Sequence, residues 1–312
     1  MRVLITGGAG FIGSNLVRQL LHDGVEDVAV IDDFSTGFRE NLLGLEAELF
    51  EGSILDTELL DRAAAGASAI VHLAARPSVP RSIKDPVASH EANATGTLRV
   101  LEAARKVGAH VSLASSSSVY GANPALPKSE DLRPMPISPY AVSKLAAESY
   151  ALAYQAVYGL EVLPFRFFNV FGPRQAAGHA YAAVVPAFLD AALGGQPLRV
   201  HGDGLQTRDF TFVNTVTEVL SEAARLRVTS PDPVNLAFGT RFSLLEVIAL
   251  MEDILGHKIA VDHTDTRAGD VRDSQADSSR LQRLFPSVVP VGLREGIEAT
   301  TAWFRGSSQS TV

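Results

Sequence analysis

Tyr140 and Lys144 stand four residues apart in Tyr140-Ala141-Val142-Ser143-Lys144, and on a helix that spacing puts both side chains on one face. A phenol beside an ammonium is a candidate general base. Free tyrosine titrates at about pH 10, and moving it close to neutrality takes about 3–4 kcal/mol, which close positive charges can supply. Such a group can take the proton of a hydroxyl. Alone the pattern is weak, since Tyr and Lys meet at this spacing on many surface helices. It gains weight from Ser115-Ser116-Ser117-Ser118-Val119-Tyr120-Gly121, which ends an apolar β-branched run. Ser116, at a strand end, is placed to bind the same hydroxyl and relay its proton.

A second cluster is made of glycine. Gly7-Gly8-Ala9-Gly10-Phe11-Ile12-Gly13 follows the first apolar run directly and opens a helical pattern. Gly7, Gly10 and Gly13 suit a tight turn that brings backbone close to a pyrophosphate, whose charge then sits on the helix N-terminus. Asp32 closes the second apolar run, where a carboxylate accepts from a ribose 2′-hydroxyl and repels a 2′-phosphate. Asp33 follows and no Arg adjoins them, so NAD is expected in preference to NADP. The 8 histidines form neither H-x-x-x-H nor H-E-x-x-H, so no metal is expected.

Apolar runs alternating with helical patterns are the signature of βαβ units. Strands are expected at Val3–Thr6, Val28–Asp32, Leu49–Glu51, Ile70–Leu73, Val111–Ser115 and Val162–Phe165. A helix carrying Ile12, Leu16, Val17, Leu20 and Leu21 on one face stops at Gly24, and a long one from Pro86 to Val107 starts on Asp85 and Pro86. Beyond about residue 165 the pattern loosens into strands at Leu198–His201 and Arg208–Phe212 and a helix from Ser243, boxed by Glu246. The expected fold is α/β: a Rossmann-type doubly wound parallel sheet over residues 1–165, with a smaller lobe over 166–312. Val234–Leu236 reads as a strand returning to the sheet near residues 233–238, which makes the lobe partly discontinuous, and Gly306–Val312 as a loose polar tail.

Composition narrows the partners. The 312 residues are 46% apolar and carry 27 Lys and Arg against 35 Asp and Glu, a net charge of −8. That balance argues against nucleic acid and against an anionic membrane surface. The most apolar stretch, Ala180–Leu193, is broken by Pro186 and Asp190, so no membrane span is expected. With 0 cysteines and no leader ahead of Val3, the expected compartment is the cytoplasm.

Taken together, the motifs resemble those of the extended short-chain dehydrogenase/reductases, in particular the nucleotide-sugar epimerase/dehydratase family and its UDP-hexose 4-epimerase branch. The resemblance covers nearly the whole chain. It rests on Leu4 to Gly13, Asp32 to Gly37, His72-Leu73-Ala74-Ala75, Asn93 with Gly96-Thr97, the Ser/Tyr/Lys set, Arg166 to Gly172, Gly202 to Phe210, and Arg267-Ala268-Gly269-Asp270. It implies Phe11 and Ile12 on the pyrophosphate, Asp32, Asp33, Ser35, Thr36 and Gly37 around the adenosine ribose, and Leu73, Ala74 and Ala75 beside the nicotinamide. Asn93 and Phe168 would complete the cofactor site. At Ser53-Ile54 the family usually has Asp before Ile or Val, on the adenine amino group; Ser53 is a weak substitute.

The resemblance also places the UDP end of a UDP-sugar against Asn169, Arg208 and Arg267, with Arg199 and His201 flanking the uracil. Two guanidiniums from separate segments suit a diphosphate. Val184, in Ala180–Pro186, and Ser78, in the Ser78–Ser82 turn, look most like those of epimerases that accept N-acetylhexosamines as well as hexoses. Ser274, four residues beyond Asp270, matches the position facing the sugar's C2 substituent, and Ser116, Ser117 and Tyr140 would face the reacting carbon. Dehydratases of the family carry an acid pair where Ser117 and Ser118 stand, and glucuronate epimerases need a cation soon after the Gly-Pro-Arg segment, where Ala176-Ala177-Gly178 follow Gln175. The expected activity is therefore UDP-sugar 4-epimerisation, on UDP-glucose and UDP-galactose and on the N-acetylated pair. A glucuronate epimerase, dehydratase or reductase is the alternative enzyme, and an NAD-sensing regulator the alternative from another class. Apolar faces on Pro86–Val107 and Tyr140–Tyr158 resemble those of a four-helix dimer interface, which implies a homodimer.

Overall fold

Runs that are apolar on both faces can only be interior strands of a parallel sheet, with helices crossing over both sides. The computed structural model describes residues 1–177, 183–266 and 272–308. In chain order its elements are β1 (Arg2–Thr6), α1 (Phe11–His22), β2 (Asp27–Asp32), β3 (Glu48–Glu51), α2 (Thr57–Ala64), β4 (Ala69–His72), α3 (Val79–Lys84), α4 (Pro86–His90), α5 (Gly96–Val107), β5 (His110–Ser116), α6 (Pro139–Tyr158), β6 (Val162–Phe167) and β7 (Val170–Phe171). There follow α7 (Val184–Leu193), β8 (Leu198–His201), β9 (Thr207–Arg208), β10 (Thr211–Phe212), α8 (Val213–Leu226), β11 (Val234–Leu236), β12 (Phe242–Ser243), α9 (Leu244–Leu255), β13 (Val261–Thr264), α10 (Ser279–Leu284) and α11 (Leu293–Ser308).

Seven strands form one parallel sheet in the order β11-β6-β5-β4-β1-β2-β3. The order reverses between β1 and β4, and such a switch point opens a crevice at the carboxyl ends of the strands. Val234–Leu236 does return to the sheet, beside β6. One face is covered by α1 and α8, with Leu16, Leu20, Val216, Val219 and Leu220 packed on Val3, Ile5 and Val71, and with Leu281 of α10. The other carries α2, α5 and α6 on Leu4, Ile70 and Val111. The sheet's core thus draws α8 and α10 from the 166–312 stretch, as well as the returning strand. A separate cluster of Phe188, Leu189, Val200, Phe212, Val247, Met251 and Ile297 holds α7, β8, β10, α9 and α11 together. Among the described residues, no helix is long and apolar enough to cross a membrane.

Three expected elements differ. The helix expected over Pro86–Val107 is interrupted by a π turn at Glu91–Thr95. Here the Thr97 hydroxyl donates to the Asn93 carbonyl at 2.6 Å and Gly96 packs against Ile54, so side-chain bonding loosens the ladder locally. The strand expected over Arg208–Phe212 is two short strands broken at Asp209, β9 pairing with β12 and β10 with β7. The expected tail begins as helix: α11 continues through Gly306 to Ser308.

Candidate active site

The turn from β1 into α1 is a cradle that only glycine can form. Gly7 has φ +74°, and a Cβ on it would lie 2.7 Å from the Ala74 amide nitrogen, while one on Gly13 would collide with the Gly7 carbonyl oxygen. Gly10 caps α1 without a side-chain hydrogen bond, and the first turn, Phe11 and Ile12 included, contains no acidic residue. Its amides are therefore available to an anion, and a dinucleotide pyrophosphate fits. Asp32 is buried and accepts from the Ala9 amide at 2.9 Å and the Phe34 amide at 2.8 Å. Burial raises its pKa against those two bonds, so Asp32 braces the loop and fixes its own carboxylate at the ribose position. Asp33 holds Ser35 by its amide and hydroxyl, Thr36 is exposed, and a Cβ on Gly37 would press on the Ala9 backbone. Ser53 Oγ accepts the Leu55 amide, and Ile54 is buried against Gly96.

On the other side of the crevice, the Leu73 amide donates to the Thr6 carbonyl and the Ala74 amide to Thr6 Oγ1, which leaves Ala75 at the mouth. His72 lies buried between Thr6 Oγ1, 2.7 Å from Nδ1, and Thr97 Oγ1, 2.9 Å from Nε2. Thr97 spends its proton on Asn93, so it accepts from Nε2–H, and Nδ1 accepts from Thr6. Burial, and then the Lys144 charge, push the His72 pKa down to about 3, so this ring stays neutral. Two expected cofactor contacts, Asn93 and Phe168, also have structural partners. Asn93 spends its amide on Arg76 N, Arg76 O and Ser143 Oγ, so it shapes the segment beside the nicotinamide position. Phe168 is 1% exposed, packed with Tyr120, Val119 and Ala276.

The proton-handling residues meet across β5 and α6. Ser138 caps α6 and Pro139 takes its first position; the Tyr140 amide, free in the first turn, donates to Ser82 Oγ of α3 at 3.0 Å. From there one face of α6 presents Tyr140, Lys144 and Glu148 to the end of β5. The Tyr140 phenol lies beside Ser116, Lys144 Nζ donates to the Ala114 carbonyl at 2.8 Å, and Glu148 accepts the Ser115 hydroxyl at 2.8 Å. Burial pushes the Tyr140 pKa up and the Ser116 bond pulls it down; burial brings Lys144 down to about 8. Ser116 favours the phenolate, and the Lys144 ammonium, bonded to the Ala114 carbonyl, is a positive charge on the same face of α6 one turn from Tyr140.

A cavity of about 250 Å³ is lined by Asn169, Val184, Phe188, Arg199, His201, Gln206, Arg208 and Phe210, among others. It brings together the expected uracil and diphosphate contacts Asn169, Arg199, His201 and Arg208 with Val184, expected on the sugar side. Asn169 Nδ2 donates to the Asp209 carbonyl, Arg208 to the carbonyls of Thr207 and Arg272, and His201 is held by Thr264 and the Asp265 carbonyl. Ser274 donates its amide to the Thr207 carbonyl, which places it beside Arg208. Ser78 caps α3 with φ +102°, a strained conformation for a residue with a Cβ. Ser117 opens the 3-10 turn after Ser116. Arg267 and Asp270 lie outside the described residues. Among the described residues, no group of three or more His, Asp or Glu is placed to hold a metal ion.

The model of the NAD dependent epimerase/dehydratase family matches residues 3–237. The chain belongs to that family. As a member, it is 38% identical to the UDP-glucose 4-epimerase of Mycolicibacterium smegmatis over 99% of this chain and 100% of that one. The solved UDP-glucose 4-epimerase of Thermus thermophilus, in complex with NAD, is 36% identical with a TM-score of 0.90, covering 98% of this chain and 100% of that chain. The UDP-N-acetylglucosamine 4-epimerase of Methanobrevibacter ruminantium, in complex with UDP-N-acetylmuramic acid, is 34% identical with a TM-score of 0.92, covering 98% of each.

Several groups in this epimerase/dehydratase escape a reading of the sequence. Asp209, fully buried, accepts from the Gly239 and Ala276 amides and the Thr240 hydroxyl, tying together three segments around Arg208 and Ser274; burial lifts its pKa to about 6 against those bonds. Gln206 lines the cavity while its amide holds the His201 carbonyl. Glu148 has a signal in the sequence: it extends the Tyr140, Lys144 spacing by one more turn.

Proposed function

We propose that the protein is a UDP-sugar 4-epimerase acting on UDP-glucose and UDP-galactose and on their N-acetylated counterparts. The observation that carries this reading is the Tyr140–Ser116 pair at the switch-point crevice, with serines, and no carboxylate, at 117 and 118. Tyr140 takes the proton of the sugar's 4-hydroxyl and Ser116 supports the Tyr140 oxygen, while Lys144 holds β5 and α6 in register. NAD held at the Gly7–Gly13 turn and Asp32 would supply a reversible hydride acceptor for the C4 hydrogen. Arg208 and Asn169 keep the diphosphate in the cavity, so the 4-ketosugar turns about that linkage and presents its other face. Tyr140 then gives its proton back, and the net redox change is zero. Without a second acid and base at Ser117 and Ser118, elimination of water has no machinery. The test is incubation of purified protein with single UDP-sugars, without added cofactor, and separation of the products. A 4-epimer is expected; a 4-keto-6-deoxy product or none would refute the proposal.

The small side chain of Ser274 next to Arg208 supports the wider substrate range, because it leaves room for an acetamido group. Ser274→Tyr should suppress interconversion of UDP-GlcNAc and UDP-GalNAc at least about tenfold more than that of UDP-glucose and UDP-galactose, by steric exclusion. Equal losses on both pairs would show that this position does not set the range. Arg208→Ala should raise KM for UDP-glucose about 10–100-fold with kcat little changed, as for binding shared by ground and transition states. Unaltered UDP affinity by calorimetry would place the diphosphate elsewhere. Assembly as a homodimer through α4 and α6 is part of the same proposal: Val87, Val142, Val157 and Tyr158 stand exposed on those helices. Sedimentation equilibrium should give twice the chain mass, and a single-chain mass would refute it.

A further inference from the structure

Ser116 is both the last residue of β5 and the cap of the 3-10 turn Ser117–Tyr120, and this double duty crowds its hydroxyl. The Ser118 amide donates to Ser116 Oγ at 3.2 Å, and the Ser118 hydroxyl donates to the same oxygen at 2.9 Å. The third neighbour is the Tyr140 phenol, which α6 carries one turn before Lys144, whose ammonium is bonded to the Ala114 carbonyl of β5 two residues before Ser116. A serine hydroxyl has one proton and two acceptor lone pairs. The Ser116 proton can therefore serve Ser118 or Tyr140, and not both. Once Tyr140 is ionised it has no proton to give; the Ser116 proton must point at it, and Ser118 must be the donor behind.

We propose that Ser118 is a positioning residue, whose amide and hydroxyl fill both acceptor sites of Ser116 Oγ and so aim the Ser116 proton at the Tyr140 oxygen. This rests on the reading of Tyr140 as the base. The three oxygens form a directed chain in which each donor strengthens the next, and the charge of the phenolate is its terminus. Removing the Ser118 hydroxyl leaves the amide in place but lets the Ser116 hydroxyl rotate away from Tyr140. No contact to cofactor or nucleotide is lost.

The experiment compares parent, Ser118→Ala and Ser118→Thr proteins loaded with NAD. Tyr140 ionisation is followed by tyrosinate absorbance, each trace taken as a difference against the same protein carrying Tyr140→Phe. Ser118→Ala should raise the pH of Tyr140 ionisation by about 0.5–1 and lower kcat about 3–10-fold, the scale of one hydrogen bond in such a chain, with KM within about twofold. Ser118→Thr, which keeps the hydroxyl, should restore both. A Ser118→Ala protein that titrates and turns over like the parent would overturn the proposal. So would one whose loss lies in KM or bound NAD. If Ser118→Ala does not fold, Ser118→Cys, which keeps the amide and weakens the donor, must show the same upward displacement or the proposal fails. A parent that binds NAD and titrates as described, yet epimerises no UDP-sugar, would refute the proposed reaction and leave the Ser118 assignment to the titration.

Discussion

Tyr140→Phe should lower kcat by about 10²–10⁴-fold, the usual contribution of a positioned proton acceptor, while KM for UDP-glucose and the bound NAD stay close to those of the parent. The substitution removes one oxygen and leaves the ring, the α6 cap at Ser138 and the amide bond to Ser82 intact. Binding should survive because Asn169 and Arg208, the proposed diphosphate contacts, are positioned by the carbonyls of Asp209, Thr207 and Arg272, independently of the Tyr140 phenol. Steady-state kinetics with product separation checks this, and retention of more than about a tenth of the activity would remove Tyr140 from its role. The pH profile should carry the same signature. Burial lifts Tyr140, so activity should rise with pH as the phenolate forms, and Lys144, held at about 8, should begin to lose its charge above that value in the cofactor-free protein. Tyr140→Phe should abolish the rising limb.

Glu148→Ala should be the most destabilising single change near the site, by about 3–5 kcal/mol, measurable as a lower midpoint in urea unfolding. Arg166 and Glu148 form a bidentate pair, 3.0 Å and 2.6 Å, with side chains only 3% and 4% exposed. Glu148 also accepts from Ser115, and the Arg166 guanidinium lies 4.8 Å over the Tyr120 ring. Without Glu148, that guanidinium is a buried charge with no counterion. Burial opposes the charge on Arg166, yet with Glu148 present its pKa is raised, which measures how far the carboxylate offsets the desolvation. A double replacement, Glu148→Gln with Arg166→Met, should recover much of the loss, since removing both charges is far cheaper than stranding one. A single mutant as stable as the parent would show that water reaches Arg166.

The parts legible in the sequence are those that repeat at short range. Gly7 and Gly13 announce a cradle because a Cβ at either would collide with backbone, and Tyr140 with Lys144 announces a face because a helix puts them there. The six expected strands and the returning Val234–Leu236 come from simple apolar runs. What stays hidden depends on partners distant in the chain. Asp209 lies inside what looks like one strand, and only its bonds to Gly239, Thr240 and Ala276 explain why the strand breaks there. Asn93 reads as a ligand contact; the fold spends its amide on Arg76 and Ser143. Phe168 shows the same limit, since a large apolar residue next to a site motif can equally be core, and here it is. Lys144 is legible as a charge on the Tyr140 face, but its bond to a β5 carbonyl is visible only in the fold.

The seat of β11 at the margin of the sheet bears on how the chain is made. Because β11 pairs with β6, the sheet stays unfinished until a segment from well beyond the crevice has left the ribosome. At ~5–20 residues per second, β6 waits several seconds with its outer backbone groups unpaired and Phe165 and Phe167 uncovered. An open, apolar strand edge of that kind invites pairing with another nascent chain. The N-terminal half is thus most vulnerable during synthesis, and a fragment ending shortly after β6 would keep that vulnerability permanently.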